Sequence, residues 1–222
     1  MRAKARILVV DVGGSRVKLA MNAPKRLAGF VSGPRMTPAL MMAGIARATK
    51  GWRFTAVSIG YPGVVSNGKI VREPHNLAPG WIGFDFRGAF NRPVKIINDA
   101  AMQALGGYAG GKMLFLGLGT GLGSALVIDG VIAPLELGHL RYGKSSIYEE
   151  QVGSKARKRL GVRKWRSKVA EVVEGFRAAL LPDYVLLGGG NVAHLKKLPP
   201  RTRVGGNADA FAGGFRLWEA GA

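Results

Sequence analysis

The chain has 222 residues, with 33 Lys and Arg against 13 Asp and Glu, a formal net charge of +20. A hydrophobic content of 47% excludes a disordered basic tail, and the absence of cysteine excludes a disulfide framework, thiolate catalysis and a zinc site built on Cys ligands. No apolar stretch approaches the roughly 20 residues needed to span a bilayer.

The opening MRAKARILVVDVGG has basic then apolar residues, as a signal peptide would. Its apolar run is short, broken by Asp11, and followed by no small-residue cleavage site, so it reads as a buried strand and the expected address is cytoplasmic. Ile7–Val12 and Arg16–Met21 flank a Gly13-Gly14-Ser15 turn and predict a β-hairpin. A helix is expected over Pro38–Lys50, and a strand over Thr55–Gly60 that ends in Tyr61-Pro62-Gly63. Val94–Ile97 reads as a strand running into Asn98-Asp99 and an Ala-rich helix, Ala100–Gly106.

After the Gly-rich break at 106–111, Met113–Leu118 predicts a strand and Gly119–Ser124 a turn. Ala125–Asp129 and Val131–Ala133 follow as a hairpin around Asp129-Gly130. Residues 149–181 read as helical, with Val169, Val172, Val173, Phe176 and Leu180 on one face. Tyr184–Leu187 predicts a strand ending in Gly188-Gly189-Gly190, and Ala208–Trp218 a terminal helix. Each half thus opens with strand, Gly-rich turn and strand, which predicts two α/β halves with a phosphate or nucleotide cleft between them.

Glycine-rich turns let backbone N–H groups converge on an anion, because no Cβ blocks the approach. Asp11 beside Gly13 and Gly14 can hold a Mg²⁺ that bridges phosphate oxygens, with Ser15 and Lys18 as further donors. A tight hairpin needs such glycines without any ligand. Gly119-Thr120-Gly121 carries a hydroxyl inside the glycine run and is the stronger signal. Neither turn matches a P-loop, and a Rossmann fingerprint is disfavoured because the turn continues into a β pattern.

Asn98-Asp99 fits a helix N-cap. It also fits a general base at a strand's carboxyl end, and the neighbouring pair can serve both roles. Glu136 and His139 can fork hydrogen bonds to the hydroxyls of a polyol, although a lone Glu and His in a loop are more often solvated.

Charge is unevenly spread: residues 1–72 hold 13 Lys and Arg with one acid, residues 73–140 hold 4 against 5, and residues 141–222 hold 16 against 7. Such an excess points to polyanionic partners, or to a generally basic surface. Lys155, Arg157, Lys158, Arg159, Arg163, Lys164, Arg166 and Lys168 form a run without an acid. It reads as a solvated face or a track for an anion. Trp165 is its only ring, so a base-stacking surface is not supported.

Seven segments in order, ILVVDVGGSRVKLA, SIGYPGVV, HNLAPGWIG, VKIINDAAMQAL, FLGLGTGLGSALVIDG, APLELGHL and VLLGGGNV, resemble the ROK family of sugar kinases and regulators, and within it the polyphosphate glucokinase-like branch. The resemblance implies an α/β, actin/hexokinase-like fold of two ribonuclease-H-like domains, here 1–108 and 109–222, with the terminal helix able to pack back on the first. It implies transfer of a terminal phosphoryl group from polyphosphate, ATP or both to the 6-hydroxyl of glucose or a related hexose.

By the same resemblance Asp11, Gly13 and Gly14 are a first phosphate motif, Gly119, Thr120 and Gly121 a second, and Gly188, Gly189 and Gly190 an adenosine motif. Asp99 is the catalytic base, while Asn98, Glu136, His139, Glu150, Gly63 and Asn76 line the sugar. Mg²⁺ is expected, zinc is not, and a homodimer is implied. The alternatives are a kinase for fructose, mannose or an N-acetylhexosamine, and a non-catalytic sugar-sensing or nucleic-acid-binding relative. A membrane partner is not expected.

Overall fold

In the computed structural model, which describes residues 5–206 and 208–219, the run ILVVDV forms β1 (Ile7–Val12) and is buried throughout. It pairs antiparallel with β2 (Arg16–Asn22), which pairs antiparallel with β3 (Lys25–Val31). Helix α1 (Pro38–Ala48) starts where Thr37 accepts the Leu40 N–H at 3.2 Å and Pro38 takes the first helical position. β4 (Ala56–Tyr61) then pairs parallel with β1. A small ribbon, β5 (Val65–Ser66) and β6 (Lys69–Ile70), precedes α2 (Phe86–Phe90) and β7 (Val94–Asn98), which runs straight into α3 (Asp99–Gly107).

The sheet order is β3-β2-β1-β4-β7. Side chains alternate across it, so Leu8, Val10 and Val12 enter a core with Met41, Ile45, Ile59 and Trp81 on one face. Ile7 and Val9 face Met102 and Ala210 on the other. Both faces being covered explains why β1 is apolar at nearly every position and not alternating.

The second half repeats the plan. β8 (Lys112–Leu118), β9 (Leu122–Ile128) and β10 (Val131–Leu135) form an antiparallel meander. A short ribbon, β11 (Arg141–Tyr142) and β12 (Ser146–Ile147), leads to α4 (Glu149–Val152) and α5 (Ser154–Leu180). β13 (Tyr184–Gly188) returns parallel to β8 and carries β14 (Thr202–Val204) on its other side. The order β10-β9-β8-β13-β14 matches the first sheet position for position.

Leu114, Leu116, Leu118, Val185 and Leu187 meet Trp165, Val169, Val172, Val173 and Phe176 of α5. Trp165, the one ring of the basic run, is therefore core, and its indole N–H donates to the Val152 carbonyl at 2.7 Å.

Several expectations shift. The predicted turn at 119–124 is shorter, since Leu122, Gly123 and Ser124 already pair with β8. Residues 149–181 are not one helix: Gly153 separates α4 from α5, and α5 bends at Gly161. With φ 74° and ψ 154°, Gly161 occupies a region that side-chain-bearing residues rarely adopt. The segments β3, β5, β6, β10 beyond Ala133, β11, β12, β14 and α2 were not predicted.

Among the described residues the chain divides into two compact units, one reaching to Met102 and joined by the segment from Ala210, the other running from Gln103 to Asp209. The boundary thus falls inside α3, ahead of the predicted position at 108. Helix α6 (Asp209–Arg216) belongs largely to the first unit. There Ser58 donates to the Gly214 carbonyl at 2.6 Å and accepts the Trp218 indole N–H at 2.8 Å. Residues 1–4 of the opening segment lie outside the described residues, as do the last positions of the expected second domain. No helix among the described residues is long and apolar enough to cross a membrane.

Candidate active site

In the first unit the predicted residues gather at the carboxyl ends of β1, β4 and β7, where Asp11, Gly60 and Ile97 are register neighbours. Asp11 is 7% exposed, and the Lys18 ammonium lies 3.4 Å from its Oδ2. Burial lifts the Asp11 carboxyl above its ordinary pKa, while the charge and hydrogen bond of Lys18 oppose that rise. The adjoining turn is held by its own backbone, with the Gly13 N–H on the Arg16 carbonyl at 3.0 Å and the Ser32 hydroxyl on the Gly13 carbonyl at 2.5 Å. Ser15 is exposed, and its carbonyl receives the Ser32 N–H. A Cβ on Gly14 would sit 3.2 Å from the Asn76 Cβ, which puts Asn76 directly against this turn. Asn76 rides on a loop that Glu73 closes by accepting the N–H groups of Trp81 and Ile82.

Asn98 and Asp99 make different contacts at the β7–α3 junction. Asn98 caps α3, its Oδ1 accepting the Ala101 N–H at 3.1 Å, and its Nδ2 donates to the Gly63 carbonyl at 3.0 Å. Both ends of the amide are therefore engaged within the protein, and Gly63 is tied to the β7–α3 junction through it. Asp99 is half-buried at the first position of α3, where its Oδ1 accepts the Ala100 N–H at 2.8 Å.

In the second unit the turn at 119–121 is anchored by its carbonyls. The Gly119 carbonyl accepts from the Ser154 N–H at 3.0 Å, the Ser154 hydroxyl at 2.9 Å and the Asn191 Nδ2 at 2.8 Å. Asn191 is 5% exposed, also donates to the Ser154 hydroxyl at 3.0 Å, and accepts from Arg157 Nε at 3.0 Å. It directly follows Gly188-Gly189-Gly190, so the third glycine motif is bolted to the second. Gly189 makes the approach possible, with φ 83° and space for a Cβ denied by the Leu118 carbonyl at 2.5 Å. Thr120 is exposed at the tip. Asn191→Ala removes these bonds and leaves the half-buried Arg157 guanidinium without this acceptor; a loss of about 1–3 kcal/mol is expected, read as a lower melting temperature.

Glu136 and His139 stand together on a short 3₁₀ turn, with His139 Nδ1 3.4 Å from Glu136 Oε2 and both side chains about half exposed, at 51% and 44%. The turn is fixed from below by Ser124, which donates to the Leu135 carbonyl and accepts the Leu137 N–H.

Glu150, named from the sequence, does not join this group. Its Oε2 accepts from the Ser146 hydroxyl at 3.0 Å and the Ile147 N–H at 3.3 Å, facing the β12 ribbon. Its neighbour Glu149 instead presses its carboxylate against Gly121 and its Cβ against Gly138, between the second glycine turn and the Glu136–His139 turn. α4 is a single turn, so adjacent residues face widely different directions, and the break at Gly153 removes the helical phase that would have chosen between them. Sequence reasoning chose Glu150 over the adjacent Glu149 and did not name Asn191, the two residues that the structure sets against the glycine turns. The doubled Glu signalled the first; an Asn directly after three glycines signalled the second.

A family model described as "ROK family" matches residues 8–145. The chain belongs to the ROK family. This ROK protein is 32% identical over 206 residues to the polyphosphate glucokinase of Mycobacterium tuberculosis H37Rv, covering 84% of its own length and 73% of the relative's. It is 31% identical over 205 residues to the polyphosphate glucokinase of Mycobacterium leprae, of whose length it spans 60%.

Among solved structures it is similar to the inorganic polyphosphate/ATP-glucomannokinase of Arthrobacter sp. strain KM, with a TM-score of 0.80, 23% identity, and 96% and 98% of the two chains covered. It is also similar to a ROK family glucokinase from Streptomyces griseus, with a TM-score of 0.76, 16% identity, and 96% and 98% covered. These likenesses assign the ROK protein the actin/hexokinase-like fold, as its two sheets of identical order require.

Proposed function

We propose that this ROK protein transfers a terminal phosphoryl group from inorganic polyphosphate or ATP to a hydroxyl of glucose or a related hexose. The observation that carries the reading is the fixed placement of Asp99 at the β7–α3 junction, one residue beyond an Asn98 clamped at both ends. The family membership and the polyphosphate glucokinase relatives support it.

Asp99 acts as the base that takes the proton from the attacking hydroxyl. In the second unit Glu136, His139 and Glu149 are the residues for the sugar's remaining hydroxyls, and in the first unit Asn98, Gly63 and Asn76 are the residues beside the base. Phosphoryl transfer depends mainly on positioning and charge neutralisation, which the two glycine turns supply to the donor.

Among the described residues no group of three or more His, Cys, Asp or Glu is placed to hold a metal ion. A single buried carboxylate beside a phosphate turn nevertheless suits Mg²⁺, which draws most of its ligands from phosphate and water and binds through one or two carboxylates. Asp11 is the residue for it, and Mg²⁺ there would neutralise developing charge on the phosphates. A coupled assay over a panel of hexoses, run in parallel with polyphosphate and ATP, tests the proposal; no turnover with any pair overturns it.

The donor end has its own test. Within the basic run, Arg157, Arg159, Arg166 and Lys168 are spent on Asn191, the Glu150 carbonyl, the His194 carbonyl and Glu171. Lys155, Lys158, Arg163 and Lys164 are exposed and make no ion pair among the described residues. These four are the residues for an extended polyanion, since α5 starts at the Gly119 carbonyl. Replacing all four by Ala is expected to raise the KM for long-chain polyphosphate about tenfold or more and to steepen nothing with ATP. Equal effects on both donors would assign the run to general solvation.

A further inference from the structure

The ends of β1, β4 and β7 opposite the candidate active site carry a second concentration of chemistry. Arg6 precedes β1, Trp52-Arg53-Phe54 leads into β4, Phe90 ends α2, and Arg92 lies between α2 and β7. Together with Thr55 they line a groove of about 460 Å³, within the usual range of about 300–1,000 Å³ for small-molecule sites. No acid lines it, and none of the three arginines makes an ion pair among the described residues.

The groove is organised. Arg92 donates from Nε to the Phe54 carbonyl at 3.4 Å and from Nη1 to the Asn91 carbonyl at 2.7 Å, which sets the plane of its fork. The Thr55 hydroxyl and the backbone of Arg6 exchange hydrogen bonds at 3.2 Å, which pins the start of β1. Phe54 and Phe90 meet edge to face with centroids 6.3 Å apart, and the Arg26 guanidinium stands 5.9 Å from the Trp52 ring centroid.

Three arginines lining one groove without a carboxylate favour an anion, and guanidinium forks match phosphate oxygens better than an ammonium does. Bare phosphate needs no aromatic wall. Half-buried Trp52, Phe54 and Phe90 add stacking surface for a planar ring. We propose that this groove binds a nucleoside phosphate, its base against the aromatic side chains and its phosphate on Arg6, Arg53 and Arg92. The site is separate from the residues assigned to phosphoryl transfer, and it accounts for part of the positive charge in the first third of the chain.

Calorimetric titration of the full chain with AMP tests it, beside the variants Arg53→Ala/Arg92→Ala and Trp52→Ala and with inorganic tripolyphosphate as the ring-free probe. The double variant is expected to weaken AMP binding at least about tenfold while hexose phosphorylation at saturating donor stays unchanged. Trp52→Ala is expected to weaken AMP and leave tripolyphosphate unaffected. An AMP isotherm unchanged by the double substitution, or no AMP binding to the wild type, overturns the proposal. Equal effects of Trp52→Ala on the two probes overturn the nucleoside assignment. Should the double variant fail to melt cooperatively, the exposed Arg53→Glu alone supplies the test, with the same loss of AMP expected.

Discussion

Asp99→Asn is expected to lower kcat by about 10²–10⁴-fold, the range by which a positioned general base accelerates proton transfer. The substitution is nearly isosteric, and the amide oxygen can still accept the Ala100 N–H that Asp99 Oδ1 holds at 2.8 Å. The cap of α3 is untouched, because Asn98 supplies it. Melting temperature and hexose affinity should therefore stay near those of the parent, and the loss should appear in turnover alone. Steady-state rates beside calorimetric hexose binding make the separation. Near-parental turnover would remove Asp99 from the chemistry and leave it as a first-turn acid that favours the helix dipole.

The second large effect concerns two neighbouring carboxylates. Glu149→Gln is expected to raise the hexose KM by about 10–100-fold, corresponding to a charge-assisted hydrogen bond of about 1.5–3 kcal/mol. Glu150→Gln should change it less than about threefold, since the Glu150 carboxylate faces the Ser146 hydroxyl and the Ile147 N–H and exposed pairs contribute little. The reverse pattern would restore Glu150 to the sugar. Because both changes fall on one short helix and preserve volume, a general loss of local structure would raise both values together and be recognised as such.

What could be read without coordinates follows the range of the forces involved. The hairpin at Gly13-Gly14 and the junction at Asn98-Asp99 rest on contacts between residues close in sequence, and both stand where they were expected. β3 escaped notice because it is an edge strand: its burial alternates weakly, it begins with Lys25-Arg26, and Gly29 interrupts it. That glycine lies where a Cβ would meet the Val17 carbonyl at 2.7 Å, a demand set by the neighbouring strand. β14 has three residues and exists through pairing with β13. The Asn191 network spans separations of 34 to 72 residues, from Arg157 to Gly119, and no local pattern encodes it. Composition likewise announced an anion preference without saying which arginines were free, since half of the basic run is consumed in holding the second unit together.

The tie between Ser58 and the Gly214–Trp218 segment bears on the order in which the chain acquires structure during synthesis. Residues 103–209 form a contiguous unit that is complete as soon as it has emerged. The first unit, although translated earlier, lacks the cover for Val9 and Ala56 until the residues from Ala210 onward are made. An apolar sheet face therefore waits uncovered while the whole second unit passes. The usual tendency of the leading domain to finish first is reversed, and a chain truncated before Ala210 would hold a finished second unit behind an unfinished first one.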